Sequence, residues 1–414
     1  MEYLRSLQGA LSLQPQLEAA RAGMARYYRE LAERAEDRGD AVAAAQSAAL
    51  VRVHDSAGAH ADWLAGAGRL TLVAAGTVTE IRVRPLRSYR RRLLPDAVIH
   101  TARGASIDAP LPQGSYQLEL IGSGPTVRYL AEIERGGAWD ATPPGEANPI
   151  AIPIPPAEAL GPDDLYVPPG WFWSGGDHLA ADSLSRRRLW LDGFVIHRDA
   201  VTEQKYCDFL NDLRSLGRSN EAREREPTAG ASREQGLGTL ELVDGVYRPK
   251  PGNEALPVCL VSWHDACAYA AWWATRTGLP WRLPHDQEWE KAARGVDGRP
   301  WPWGHHLEGD RACMLGSTTP PARARVDAFP VDESPYGVRG MAGGVRDWCL
   351  NGYDRAGPRP DSRLDPRADV EGPRMTRGGA WGAMPALCRL AGRFAAPPDA
   401  RLLGVGFRLA RSWP

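Results

Sequence analysis

The sequence predicts an α+β protein, and three observations carry that reading. Apolar residues recur at helical spacing near the N-terminus, they alternate with a period of two through the next stretch, and aromatic content rises beyond a proline-rich segment. A chain of 414 residues is too long for one small core and suits two or three domains of roughly 100–200 residues each.

The first element is helical. From Leu17 to Arg38 the apolar positions Leu17, Ala20, Met24, Tyr27, Tyr28 and Leu31 share a face, Gly39-Asp40 breaks the run, and an alanine-rich helix follows to about Val53. We assign residues 1–65 to an αα-hairpin. One hairpin cannot bury its own apolar face, so it needs a neighbour or a partner from outside the chain.

Residues 66–142 then read as a small antiparallel β-sandwich. RLTLVAA, VTEIRVRPL, SYQLELIG and VRYLAEIE each alternate, with glycine and proline signals between them. The arginine run from Arg82 to Arg92 suggests either a phosphate patch or a solvated strand face, and the second is the plainer expectation. Prolines cluster from Pro143 to Pro162, and because proline fixes φ and lacks a donor, residues 143–164 form a semi-rigid linker. Most of the 15 tryptophans follow it, so residues 165–414 hold the largest core.

Composition excludes several function classes. Fifty basic residues balance 51 acidic ones for a net charge of -1, so no global field draws in nucleic acid or acidic lipid. No apolar stretch is long enough to span a bilayer, and the first residues lack the apolar core of an export signal, which points to the cytoplasm. The six cysteines show no CxxC pairing and read as reduced, mostly buried thiols.

Local signals in the C-terminal part are specific. Thr202 precedes a helix with Tyr206, Phe209, Leu210 and Leu213 on one side and is placed to cap it. In LPHDQEWEKAARG, His285 and Glu288 have capping-box spacing and Gly295 terminates the run, which makes His285 a cap in preference to a catalytic base. Asp244-Gly245 marks a type I′ hairpin. Cys259, His264 and Cys267 do not have zinc spacing, and His305-His306 beside Glu308 and Asp310 reads as a solvated turn.

Several blocks carry a family resemblance. PQGSYQLELIGSG (Pro112 to Gly124) is similar to the strand of PEGA-type β-domains. LYVPPGWFWSGG, LDGFVIHRDAVTEQKYCDFL, LPVCLVSWHDACAYAAWWATRTGLPWRLPHDQEWEKAARG, WPWG, YGVRGMAGGVRDWC, RGGAW and VGFRLAR, in that order from Leu165 to Arg411, resemble the formylglycine-generating-enzyme (sulfatase-modifying-factor) family. The resemblance implies a C-type-lectin-like fold over 165–414. It also implies a catalytic copper site of two cysteines five positions apart, but here those positions are Ala383 and Cys388, and the motif serine is Ala380. Formylglycine synthesis is therefore not expected, no cofactor is expected, and no catalytic or metal-binding residue is assigned.

An iron-dependent branch of the family uses a histidine cluster on N-terminal helices, where this chain offers only His54 and His60. The family's calcium-holding GN[VA]WEW block reads GGVRDW, so Gly344 replaces the asparagine and Ca2+ binding is doubtful. The domain order also resembles the C-terminal portions of some bacterial serine/threonine kinases, yet no kinase motif is present, so a kinase would be a separate protein.

The segment WGAMPALCRLAGRFAAPPDARLLGVGFRLAR resembles the ligand surface of non-catalytic relatives, including variable proteins of diversity-generating retroelements. Arg377, Gly378, Gly379, Trp381, Arg389, Arg393, Pro398, Asp399, Arg401, Gly406, Phe407 and Arg408 match their framework. We expect a non-catalytic ligand- or protein-binding module whose surface lies within 381–404, formed by Trp381, Met384, Leu387, Leu390, Phe394, Leu402 and Leu403. Its partner is an unidentified protein or small molecule, with no nucleic acid and no membrane. The alternatives are a retroelement variable protein using the same surface, a metal- and oxygen-dependent oxidoreductase with an altered site, and a regulatory partner of a kinase.

Overall fold

The computed structural model describes residues 2–228, 238–365 and 371–414. They form two compact units. The first contains the residues up to Thr71 together with Ile107–Ser115 and Ala131–Asp140.

In this first unit the helices Glu18–Asp37 and Ala41–His54 form the hairpin read from the sequence. Gly39 takes φ 72° to turn the chain, and the Asp40 carboxylate caps the second helix by accepting from the Ala43 N–H at 3.0 Å. Ala25, Ala32, Ala35 and Val51 are buried between them. A preceding helix, Glu2–Leu13, was not read from the sequence and has no buried residue. The hairpin is tied down by Arg135, which pairs with Glu36 at 2.9 Å and lies 3.9 Å over the Trp63 ring. A three-stranded sheet has Gly68–Val73 between Ser106–Leu111 and Ala138–Trp139, and the hairpin's neighbour is the preceding helix, whose Leu7 and Tyr3 lie against Gly23.

The second unit contains residues 72–106, 116–130 and 141–414. Its first sheet is built on the long strand Val78–Tyr89, paired antiparallel with Arg92–Pro95, His100–Arg103 and Gly114–Gly122; the last of these neighbours Val127–Ile133. Ile81, Val83, Leu118 and Leu120 face inward on alternate positions and are fully buried.

The arginine run ends in a docked turn. Arg90 and Arg91 take φ 48° and 60° at the hairpin tip. Their carbonyls accept from Arg311 at 2.8 and 2.9 Å, Arg91 pairs with Glu308 at 2.7 Å, and the Leu93 N–H donates to the Trp303 carbonyl at 2.7 Å.

The part beyond the prolines is a set of small sheets joined by irregular backbone. Phe194–His197 lies between Asp164–Val167 and Ala410–Ser412, which closes the chain's C-terminal end onto the start of this region. Gly170–Ser174 pairs with Arg187–Leu191. Arg374–Arg377 and Arg346–Gly352 form the centre of a four-stranded sheet whose outer strands are Arg393–Ala396 and Val405–Gly406.

Besides the short helix Ser219–Glu224, three longer helices are described in this region. Glu203–Ser215 is capped by Thr202, whose hydroxyl accepts from the Lys205 N–H at 3.3 Å. Trp263–Thr277 has a capping box of Ser262 and Asp265. Asp286–Arg294 begins with His285, whose Nδ1 accepts from the Gln287 N–H at 3.2 Å while Glu288 accepts from the His285 N–H at 2.8 Å. All nine residues of that last helix are buried. Tyr206, Phe209, Tyr269 and Phe407 gather into an aromatic cluster beside the first two helices. The hairpin turn at Asp244-Gly245, with φ 51° and 78°, is the one expected.

Candidate ligand-binding surface

The four-stranded sheet places the segment after Arg377. Arg374–Arg377 leads directly into Gly378-Gly379, where the backbone passes so close to Met341 and Ala342 that a Cβ on Gly379 would lie 2.1 Å from the Ala342 carbonyl oxygen and 2.7 Å from Cys388 Sγ. No side chain fits there, and the following turn is fixed in space. Trp381 then donates its backbone N–H to Gly344 at 2.9 Å, and a short 3-10 turn, Pro385–Cys388, carries the chain to Arg389.

Buried ion pairs hold the framework from outside the segment. Arg377 pairs with Glu290 at 2.5 Å, both side chains being at most 1% exposed. Glu290 also accepts from the Ser174 hydroxyl, the Gly175 N–H and Arg294. Arg389 pairs with Asp177 at 2.6 Å, Arg401 with Asp265 at 2.7 Å and Arg408 with Asp347 at 2.6 Å. Arg393 donates to the Asp354 carbonyl and lies 3.9 Å from Asp286. Breaking the fully buried Arg377–Glu290 or Arg408–Asp347 pair typically costs ~3–5 kcal/mol, because the remaining charge is stranded. Asp399, which the resemblance places in the framework, is instead an exposed neighbour of His264.

Six of the seven expected surface residues reach solvent. Met384 is 61% exposed, Leu387 39%, Leu402 43% and Leu403 49%, while Trp381 and Phe394 are half-buried. Leu390 is the exception and corrects the expectation. It is fully buried, its N–H donates to Pro300, and it is part of the core beneath the segment. Arg346 links several of these positions. Its Nε donates to the Gly378 carbonyl at 3.1 Å and its Nη2 to the Leu387 carbonyl at 3.4 Å, its backbone N–H donates to Gly404, and its guanidinium carbon lies 3.7 Å over the Phe394 ring. The sequence reading passed over Arg346. The available signal was an arginine in GGVRDW where the family block has tryptophan.

The residues do not fit the copper site of the catalytic relatives. Ala383 offers no thiolate. Cys388 is buried, with its thiol pushed up to about 11 by desolvation, so it stays protonated at neutral pH and is turned toward the Ala383 and Met384 carbonyls. At the calcium block, Asp347 Oδ2 accepts from Trp289 Nε1 and Arg408 while its buried Oδ1 has no hydrogen-bond partner, and Gly344 supplies no side-chain oxygen beside it. Cys259 faces Arg323 while His264 is half exposed, and Glu308 is engaged by Arg91, so neither of the other histidine clusters converges. Among the described residues no group of three or more His, Cys, Asp or Glu could hold a metal ion.

A separate narrow cleft is lined by Asp199, Cys313, Phe329, Asp332 and Arg339, among others. Burial raises the Asp332 carboxyl to about 7 although it accepts the Met341 and Ala342 N–H groups. None of the expected surface residues lines it.

Known proteins extend this picture. The Sulfatase-modifying factor enzyme 1-like domain matches residues 153–413. A formylglycine-generating enzyme of Thermomonospora curvata is 36% identical over 174 residues, which is 37% of this chain and 55% of that enzyme. Serine/threonine-protein kinase Pkn1 of Chlamydia trachomatis is 29% identical over 60% of this chain and 38% of its own length. The Inactive C-alpha-formylglycine-generating enzyme 2 of Mus musculus is 32% identical over 38% of this chain and 49% of its own. The chain thus spans between 38% and 55% of these relatives. No described helix is long and apolar enough to cross a membrane.

Proposed function

Because the chain belongs to the sulfatase-modifying factor, or formylglycine-generating enzyme, family through residues 153–413, we propose that it uses the family's α+β, C-type-lectin-like scaffold as a non-catalytic binding module. The binding surface is the face formed by Trp381, Met384, Leu387, Phe394, Leu402 and Leu403. The observation that carries this reading is the division within one segment. Its arginines are held in buried or part-buried ion pairs, while Met384, Leu387, Leu402 and Leu403 project to solvent. The missing thiolate at Ala383 and the protonated thiol at Cys388 support a role without oxidation chemistry. The likeness to a mouse protein named as an inactive formylglycine-generating enzyme points the same way.

The likeness to Pkn1 over 60% of this chain favours a second, compatible reading, in which the partner is part of a kinase assembly. The test of the module is co-purification from the source cells with the wild-type chain and with Phe394→Ala and Leu402→Asp. A partner held by the wild type and lost by both variants, with melting temperatures within a few degrees, is the expected result. A partner retained by both variants places the site elsewhere, and identification of the retained protein decides the kinase reading.

A further inference from the structure

We propose that this surface recognises an acidic-aliphatic peptide segment, with one carboxylate seated on Arg346 and neighbouring apolar side chains laid against Leu387, Leu402 and Leu403. The proposal rests on the reading of the 381–404 face as the binding surface and adds the chemistry of its ligand.

Arg346 differs from the other arginines that position the segment. Arg377, Arg389, Arg401 and Arg408 each have a carboxylate within 2.7 Å. Arg346 has no ion pair among the described residues. Two backbone carbonyls occupy its Nε and Nη2, and the Phe394 ring lies against one face of its plane. Its Nη1 makes no hydrogen bond among the described residues and is not sealed from solvent. Burial pulls its pKa down with no carboxylate to offset it, yet a guanidinium remains charged at any physiological pH. A part-buried cation whose outer nitrogen is open is a ready donor site for a carboxylate, because guanidinium N–H groups donate to its oxygens with charge assistance.

Arg346 donates to the Leu387 carbonyl and, through its backbone N–H, to the Gly404 carbonyl, so the exposed Leu387 and the exposed Leu402-Leu403 pair preceding Gly404 belong to the chain segments it touches. One cation with an open nitrogen and several separate exposed apolar side chains suit a segment carrying both acidic and aliphatic side chains. The pairing of a guanidinium with aromatic and aliphatic contacts is also the composition that dominates binding energy in protein interfaces.

The experiment uses the full chain and immobilised twelve-residue peptides of alternating Leu and Asp, with matched peptides carrying Asn or Lys in place of Asp. The wild-type chain is expected to bind the Leu/Asp peptide at least tenfold more tightly than the Leu/Asn peptide, to reject the Leu/Lys peptide, and to lose affinity as salt rises. Arg346→Gln should abolish the preference for Asp over Asn, and Arg346→Lys should retain part of it. Where Arg346→Gln does not fold, the comparison of Asp with Asn peptides on the wild-type chain decides alone. Equal binding of the two, or displacement of the Leu/Asp peptide by inorganic phosphate, overturns the carboxylate assignment and leaves the surface reading intact. Binding that survives Leu402→Asp overturns the surface itself. Absence of binding to every peptide overturns the peptide class.

Discussion

Leu390 and Leu402 are the same residue type in one segment, and the structure assigns them opposite roles, so paired substitutions measure the division directly. Leu390 has no exposed surface, and Leu390→Ala leaves a cavity in the core that typically costs ~2–5 kcal/mol. Leu402 is 43% exposed. Full burial of a leucine contributes ~1.5–3 kcal/mol, so only about half of that, ~1 kcal/mol, is at stake in Leu402→Asp. Its backbone carbonyl, which accepts from Leu260 and Val405, survives the change. Urea unfolding followed by near-ultraviolet circular dichroism reports on this region, because Trp190, Trp289, Trp301 and Trp348 are all buried there. A loss of 2 kcal/mol or more in Leu402→Asp, or of less than 1 kcal/mol in Leu390→Ala, refutes the assignment of one to the surface and the other to the core.

Further outcomes are expected. Lys291 is fully buried, donates to the Pro168 and Gly170 carbonyls, and has its pKa lowered to about 7 by desolvation. The unfolded chain therefore holds a proton there that the folded one releases between pH 7 and the ordinary lysine range, so stability should rise through that window by at most ~1.4 kcal/mol per pH unit from this group; Lys291→Met should flatten that slope, and an unchanged slope contradicts the assignment. Cys388 should resist alkylation in the folded chain up to about pH 9, Cys388→Ser should lower the melting temperature, and no aldehyde should form on a cysteine peptide with Cu(I). Gly379→Ala should destabilise by more than the ~1–3 kcal/mol usual for overpacking, since its Cβ meets backbone at 2.1 Å. Chelation of Ca2+ should leave the melting temperature unchanged, and a substantial fall would restore a calcium site.

The features legible in the sequence are those set by contacts a few residues apart. The cap at Thr202, the capping box of His285 and Glu288, and the turn at Asp244-Gly245 each depend on groups at fixed short offsets, and all are present. The equivalent turn at Arg90-Arg91 was unreadable, because arginine seldom takes positive φ and tertiary contacts impose it here. Ser106–Leu111 alternates in burial, but Pro110 within the run argues against a strand. The error at Leu390 has a different cause. Between Gly378 and Arg393 the backbone is irregular, so no period of two or 3.6 separates inward from outward positions. Arg346 escaped notice because its distinguishing property is the lack of a carboxylate, which only three-dimensional contacts disclose.

The docked hairpin tip at Arg90 and Arg91 bears on how this chain could be divided or recombined. The tip supplies two carbonyls to Arg311 and a guanidinium partner to Glu308, and Leu93 packs against Gly304. A cassette beginning after the prolines would leave Arg311 without its acceptors and bare the loop that carries the stacked Trp301 and Trp303. The smallest transplantable piece that keeps this loop supported therefore begins before Val78, well upstream of the segment that the family match covers. Fusion partners and split-protein designs should respect that earlier boundary.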